Sequence, residues 1–213
     1  MKTSKLKLIS VVVTLSLSLV IIISAVKLTL SFTPLYDWDI SYLSLEQSTG
    51  ISSSSIQANY HTIIFYLQDH KSYDLTLPSL TMSKEGKIHF REVKNIFIKL
   101  DYILYVTFLL SIILIYILYR NNTFNYLKYS AICLLALPLI LLIPFLINFD
   151  KSFTIFHKVF FKNNYWEFDP IKDPVINILP QEYFFHCSLL ILFLILLSSA
   201  ILLFTYKIKQ KKV

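Results

Sequence analysis

His157 stands in the run Phe156-His157-Lys158-Val159-Phe160-Phe161, followed closely by Tyr165-Trp166-Glu167-Phe168-Asp169-Pro170. A titratable imidazole among rings of this kind suits the headgroup level of a membrane, where it would take or give a proton on a lipid-borne group. A second imidazole, His89, precedes another long apolar run, with Glu92 three residues on. If His89 is already helical, the two side chains share a face, and the carboxylate would orient the ring or raise its basicity. Taken alone, His89 reads rather as a solvated histidine in a charged turn, since Lys84, Glu85, Lys87 and Arg91 lie beside it.

Phe153, Phe156, His157, Phe160 and Phe161 fall on one helical stripe, which predicts a short interfacial helix with His157 on its apolar, lipid-facing side. Such a histidine is either an aromatic anchor bonded to a neighbour or an acid–base group facing a lipid ester. His61, His70 and His186 carry less weight, having no partner at metal-site spacing. Neither H-E-x-x-H nor C-x-x-C occurs, and G-x-S-x-G and the P-loop are also missing. A zinc hydrolase and a serine hydrolase are therefore disfavoured. No metal or cofactor is expected. The spans hold few polar residues beyond serines and no row of carboxylates, which argues against a proton-coupled transporter.

The elements that hold these histidines are set by hydropathy. The chain has 213 residues, is 55% hydrophobic and contains two glycines. Four apolar runs, Leu8–Leu30, Tyr102–Tyr119, Tyr129–Asn148 and Cys187–Tyr206, are each long enough to cross a hydrocarbon core of about 30 Å. Lys2, Lys5, Lys7, Arg120, Lys128, Lys207, Lys209, Lys211 and Lys212 flank them on one side without a single carboxylate, and the thirteen acidic residues lie in the other two loops. By the positive-inside bias both termini face the cytoplasm, and 31–101 and 149–186 lie outside. The net charge of +7 is mostly this topology signal and implies no nucleic-acid partner. The first run is too long for a signal-peptide core and lacks an A-x-A site, so it is expected to stay as an anchor. No lipobox cysteine follows it. Cys133 and Cys187 fall near opposite ends of their spans, so no disulfide is expected.

The predicted fold is an all-α membrane protein of four transmembrane helices with a small mixed extracytoplasmic cap. The divisions are 1–30 for the anchor, 31–101 for the cap, 102–148 for the second and third spans, 149–186 for an interfacial loop, and 187–213 for the last span and basic tail. Within the cap, Ser52 to Ser55 supplies a helix start, and Ile56, Tyr60, Ile63, Ile64 and Leu67 predict an amphipathic helix over 54–68, although 60–67 also suits a strand. Asp74–Leu80 alternates as a short strand that Pro78 confines to an edge or an end. From about residue 90, Val93, Ile96, Phe97, Leu100 and Leu104 run as a helix directly into the second span.

Together, Phe156-His157-Lys158-Val159-Phe160-Phe161, Trp166-Glu167-Phe168-Asp169-Pro170 and Leu179-Pro180-Gln181-Glu182-Tyr183-Phe184 resemble the lipoprotein intramolecular transacylase (Lit) family of bacterial membrane proteins. A second set supports the resemblance: Asn59-Tyr60, Leu77-Pro78, Met82-Ser83, Gly86 and His89-Phe90-Arg91-Glu92-Val93-Lys94. One departure is Glu92, where the family pattern has aspartate.

The resemblance implies a diacylated bacterial lipoprotein as substrate and membrane lipid as surroundings. The reaction would move the sn-2 acyl chain of an S-diacylglyceryl cysteine onto that cysteine's α-amine. His157 is then the principal acid–base group and His89 its complement, as second acid–base group or as stabiliser of the tetrahedral intermediate. Glu92 and Lys94 are supports, and Trp166 with Asp169 forms a substrate-positioning edge. Two other classes stay open: a non-catalytic membrane protein whose cap binds lipid, peptide or a partner subunit, and a lipid hydrolase that uses the same histidines on water.

Overall fold

The computed structural model describes residues 2–211, and the side chains of all of these except residues 2, 137–143 and 146. Along the chain run α1 (Lys2–Ser31), α2 (Thr33–Tyr42), α3 (Leu45–Thr49), α4 (Ser53–Gln68), α5 (Lys84–Arg120), α6 (Asn125–Ile147), α7 (Phe149–Phe160), α8 (Val175–Ile178) and α9 (Gln181–Gln210). Among the described residues there is no strand.

The chain divides into two compact units. One takes the chain through Thr29, Leu100–Pro144 and the chain from Leu189 onward. Its helices belong to α1, α5, α6 and α9. Among the described residues, three helices are long and apolar enough to span a membrane: Thr3–Ser31, Lys84–Arg120 and Gln181–Gln210. The expected span 129–148 falls in α6, where residues 137–143 and 146 lie outside the described side chains. Hydroxyls tie these helices together where no water competes: Ser111 donates to Ser16 at 2.9 Å, and Ser199 donates to the Ala131 carbonyl at 3.0 Å. Lys27, near the end of the first apolar run, reaches both oxygens of Asp101 at 2.9 and 3.1 Å.

The other unit comprises Leu30–Lys99 and Phe145–Ser188. The amphipathic helix predicted over 54–68 forms as α4, capped by the Ser52 hydroxyl, which accepts from the Ser55 N–H. Its buried face, Ile56, Asn59, Tyr60, Ile63, Ile64 and Leu67, follows the 3.6-residue period and meets Tyr36, Ile40, Leu75, Leu77, Ile178 and Tyr183. Tyr36 stacks on Tyr60 with ring centroids 3.7 Å apart, and the Tyr60 and Tyr183 hydroxyls bond at 2.7 Å. These polar tips find partners inside the core, which removes the penalty of burying them.

The predicted strand at Asp74–Leu80 is not formed. The alternation is real, because Leu75 and Leu77 are buried while Asp74 and Thr76 are exposed. No second strand exists among the described residues to pair with it, so an extended segment lies across helices with every other side chain in the core. Burying such a leucine is worth about 1.5–3 kcal/mol, enough to fix the segment without a ladder. The unit is helical rather than mixed.

Candidate active site

His89 owes its position to the start of α5, which begins at Lys84, six residues before the periodic pattern shows it. The cap is tertiary. Ser83 Oγ accepts from the Gly86 N–H at 2.9 Å, while the Asp173 carboxylate accepts from the Ser83 N–H at 2.7 Å and from the Ser83 hydroxyl at 2.6 Å. Gly86 is required for the close approach. A Cβ there would lie 2.3 Å from Asp173 Oδ1 and 3.3 Å from the Phe168 ring. The N-terminal turn of α5 is thereby pinned to the 168–173 segment, and His89 follows one turn on.

His157 owes its position to α7. Asn148 caps that helix, its side-chain oxygen accepting from the Lys151 N–H at 2.9 Å. The expected stripe divides. Phe156 and Phe160 are exposed, as is Val159 at 74%, whereas His157 and Phe161 are buried. His157 therefore faces protein rings and not lipid, against the sequence expectation. The reason lies in the rings available: Phe153, Phe161 and Trp166 lie 4.1, 5.6 and 4.8 Å from it between centroids.

The two imidazoles meet, with ring centroids 6.0 Å apart. Phe161 touches both, at 4.7 Å from His89, and Phe168 lies 5.4 Å from His89. His157 Nδ1 is 2.8 Å from the Phe153 carbonyl oxygen. A carbonyl only accepts, so Nδ1 carries the proton and Nε2 of the neutral ring presents its lone pair. Burial favours the neutral form of both rings. His89 is pushed down to about 4, first by burial and then by the proximity of His157; burial likewise lowers His157, against the pull of the Phe153 carbonyl.

Around the pair, three buried polar atoms have no hydrogen-bond partner among the described residues: His89 Nδ1, Glu92 Oε2 and Trp166 Nε1. Unpaired buried polar atoms are uncommon because each costs about 1–3 kcal/mol. Three of the seven such atoms among the described residues fall around this one pair of histidines. Glu92 does not hydrogen-bond His89, as its spacing suggested; its Oε1 accepts from Asn163 Nδ2 at 2.8 Å.

The other expected site residues lie elsewhere in the unit. Lys94 donates to the Lys71 carbonyl at 2.6 Å and stands over the rings of Tyr66 and Tyr73 at 4.2 and 4.5 Å. Asp169 makes a turn, accepting from the Ile171 N–H at 2.9 Å, with Lys172 3.8 Å away. Sequence reasoning missed Asp173, Asn163 and Phe168. It also gave little weight to His186, whose Nδ1 lies 2.6 Å from Oδ1 of the fully buried Asp39. Among the described residues, no group of three His, Cys, Asp or Glu side chains converges as a metal site would require.

A pair of neutral imidazoles on two helix segments, one with its lone pair directed by a backbone carbonyl, suits proton transfer without a protein nucleophile. The family model for the lipoprotein intramolecular transacylase Lit matches residues 11–184. This chain belongs to the Lit family. The solved structure of the membrane-integral lipoprotein intramolecular transacylase Lit from Bacillus cereus has a TM-score of 0.96 at 36% identity, covering 99% of this chain and 98% of that one. Structures of the same Bacillus cereus protein with one histidine replaced by arginine or by alanine both give 0.91 at 35% identity. They cover 99% of this chain and 94% and 96% of those chains. A comparison with curated proteins gave no match. As a Lit family member the chain is an acyltransferase, a lipoprotein intramolecular transacylase, and a multi-pass membrane protein.

Proposed function

We propose that this Lit family member moves the sn-2 acyl chain of an S-diacylglyceryl cysteine onto the α-amine of the same cysteine, with His157 and His89 as the acting groups. The reaction takes place at the extracytoplasmic face of the bacterial cell membrane. Four spans carry the site, with both termini inside, divided as 1–30, 31–101, 102–148, 149–186 and 187–213. The nine cations on one side of the spans and the absence of carboxylates there support that orientation.

The observation that carries the chemistry is the fixed tautomer of His157 beside a second neutral imidazole. The α-ammonium first sheds a proton to become a neutral amine. Its nitrogen then attacks the ester carbonyl, and the proton it gives up passes to His157 Nε2. His89, held neutral by burial, acts as the hydrogen-bond group for the oxygen of the tetrahedral intermediate. Collapse breaks the bond to the glycerol oxygen, and His157 returns the proton to that oxygen. A carbon–nitrogen bond forms, a carbon–oxygen bond breaks, and one proton moves from nitrogen to oxygen. Amine and ester belong to one molecule, so much of the orientation is supplied by the substrate.

Trp166 walls the site with its ring, 4.8 Å from that of His157, and brings to it a buried N–H with no hydrogen-bond partner among the described residues. Lys94 and Asp169 support from further away, by fixing the Lys71–Tyr73 segment and the turn before Asp173. The test is mass spectrometry of a lipoprotein's N-terminal peptide after expression in a host with diacylated lipoproteins. The total mass is expected to be unchanged, with one acyl chain now on nitrogen. Loss of a fatty-acid mass would instead identify a hydrolase, and an unaltered fragmentation pattern a non-catalytic protein.

A further inference from the structure

We infer that Glu92 Oε2 is the receptor for the substrate's α-ammonium, so that the site selects lipoproteins whose N-terminal cysteine is not yet acylated on nitrogen. The inference rests on the acyl-transfer reading above and adds the recognition of the free amine.

Glu92 lies one turn beyond His89 on α5, so the two side chains leave the helix on one face. Its two oxygens have different fates. Oε1 accepts from Asn163 Nδ2 at 2.8 Å, which fixes the carboxylate plane. Oε2 is buried and has no hydrogen-bond partner among the described residues. On α5 the adjacent cations are engaged elsewhere, Arg91 with Asp74 and Lys94 with the Lys71 carbonyl and two tyrosine rings, and Lys162, next to Asn163, is exposed. A carboxylate oxygen held rigidly, sheltered from water and left without a donor is complementary to an N–H donor with positive charge. The substrate has one such group next to its reacting ester, the α-ammonium. The free lipidated cysteine supplies up to three donors. Once the nitrogen is acylated the charge is gone and one N–H is left.

This placement also suits the proton path. Asn163, which steadies Glu92, lies two residues after Phe161, the ring that touches both imidazoles. A nitrogen on Oε2 is therefore delivered on the side of α5 that carries His89, beside the histidine pair. The product amide loses the charge-assisted contact, which favours its release.

The experiment uses the full-length protein in detergent with two non-reactive probes. Both are ether-linked S-dialkylglyceryl-cysteinyl peptides, one with the free α-amine and one with hydrogen in place of the amine. Wild type is expected to bind the amine probe about ten- to a hundredfold more tightly at neutral pH, the size of one charge-assisted hydrogen bond. Glu92→Gln is expected to abolish that preference and Glu92→Asp to keep part of it. The preference should also fade as pH rises past the amine's pKa of about 7.7–8.0. Equal binding of the two probes by wild type, or an undiminished preference in Glu92→Gln, would overturn the assignment. If Glu92→Gln does not fold, a wild-type preference that persists well above pH 8 does the same. O-to-N product from the ester substrate, followed in parallel with wild type, tests the underlying reaction separately.

Discussion

The Asp173 carboxylate takes both the backbone N–H and the hydroxyl of Ser83, at 2.7 and 2.6 Å, and so sets the first turn of the helix that carries His89. A residue ninety positions away in sequence thus decides where a candidate catalytic imidazole stands.

Asp173→Ala leaves a helix start without its outer partner and is expected to cost about 1–3 kcal/mol of stability. Gly86→Ala acts on the same joint by forcing a methyl group to within 2.3 Å of Asp173 Oδ1. Both variants should unfold at lower temperature in detergent than wild type. Both should also lose N-acylated product out of proportion to their abundance, because His89 moves with the cap.

His157 and His89 are expected to respond differently to glutamine. His157→Gln keeps a hydrogen-bond donor but transfers no proton near neutral pH, so it should fall as far as His157→Ala, about 10²- to 10⁴-fold. His89→Gln keeps the donor that an intermediate oxygen needs and should retain more activity than His89→Ala. Time courses of N-acylated peptide, scaled to protein abundance, distinguish the two roles. Near-wild-type turnover by His157→Gln would pass the acid–base role to His89.

The helix over 54–68, the run from the cap into the second span, and both histidine motifs were legible because local period and composition determine them. Most of the failures involve partners outside the local sequence window. Leu75 and Leu77 show the period of a strand, but alternation reports only which side chains are buried, not whether a ladder exists. Phe153, Phe156, His157, Phe160 and Phe161 form one stripe, yet only the fold, which brings Trp166 and the distant His89 against the imidazole, shows that His157 turns inward. Glu92 sits three residues from His89, while its partner Asn163 lies seventy-one residues off. A serine at 83 followed by Gly86 was the available hint of an early helix start. Nothing local identified Asp173 as its anchor.

The two imidazoles also predict a pH profile. Burial holds His89 at about 4 and lowers His157, so below the unfolded value of about 6.5 the unfolded chain binds protons that the native pair refuses. Their contribution to stability is full above about pH 6.5 and is lost as pH falls from there toward the folded value of about 4 for His89. Stability in detergent should therefore decline over that window, and more shallowly in His89→Phe. The ratio kcat/KM should instead follow the free substrate amine, falling about tenfold per pH unit below about 7.7. A pH–rate curve in which a limb near 6.5 governs the reaction would contradict the depressed imidazoles.

His186 is the residue whose expected importance changes most. In sequence it carries little weight, having no partner at metal-site spacing, but Nδ1 lies 2.6 Å from Oδ1 of Asp39, which is 0% exposed while His186 is 18% exposed. Asp39 Oδ2 has no hydrogen-bond partner among the described residues, so the imidazole is the main compensation for that buried carboxyl group. Burial holds the Asp39 carboxyl above its ordinary range, against the His186 hydrogen bond, which pulls it down. His186→Ala removes the pull and leaves the desolvation. The expected loss is about 1–3 kcal/mol near neutral pH, the cost of leaving a buried acceptor without its hydrogen bond. The loss should shrink as pH falls and Asp39 takes up a proton, since a neutral carboxyl costs less to leave buried without its partner. Thermal unfolding of wild type, His186→Ala and His186→Ala/Asp39→Asn at pH 7.5 and pH 5 checks this. The double variant should recover part of the stability at pH 7.5 by removing the unpaired charge. An equal penalty at both pH values would show that His186 acts through its packing against Trp38 and Tyr42, 5.4 and 5.8 Å away, and not through Asp39.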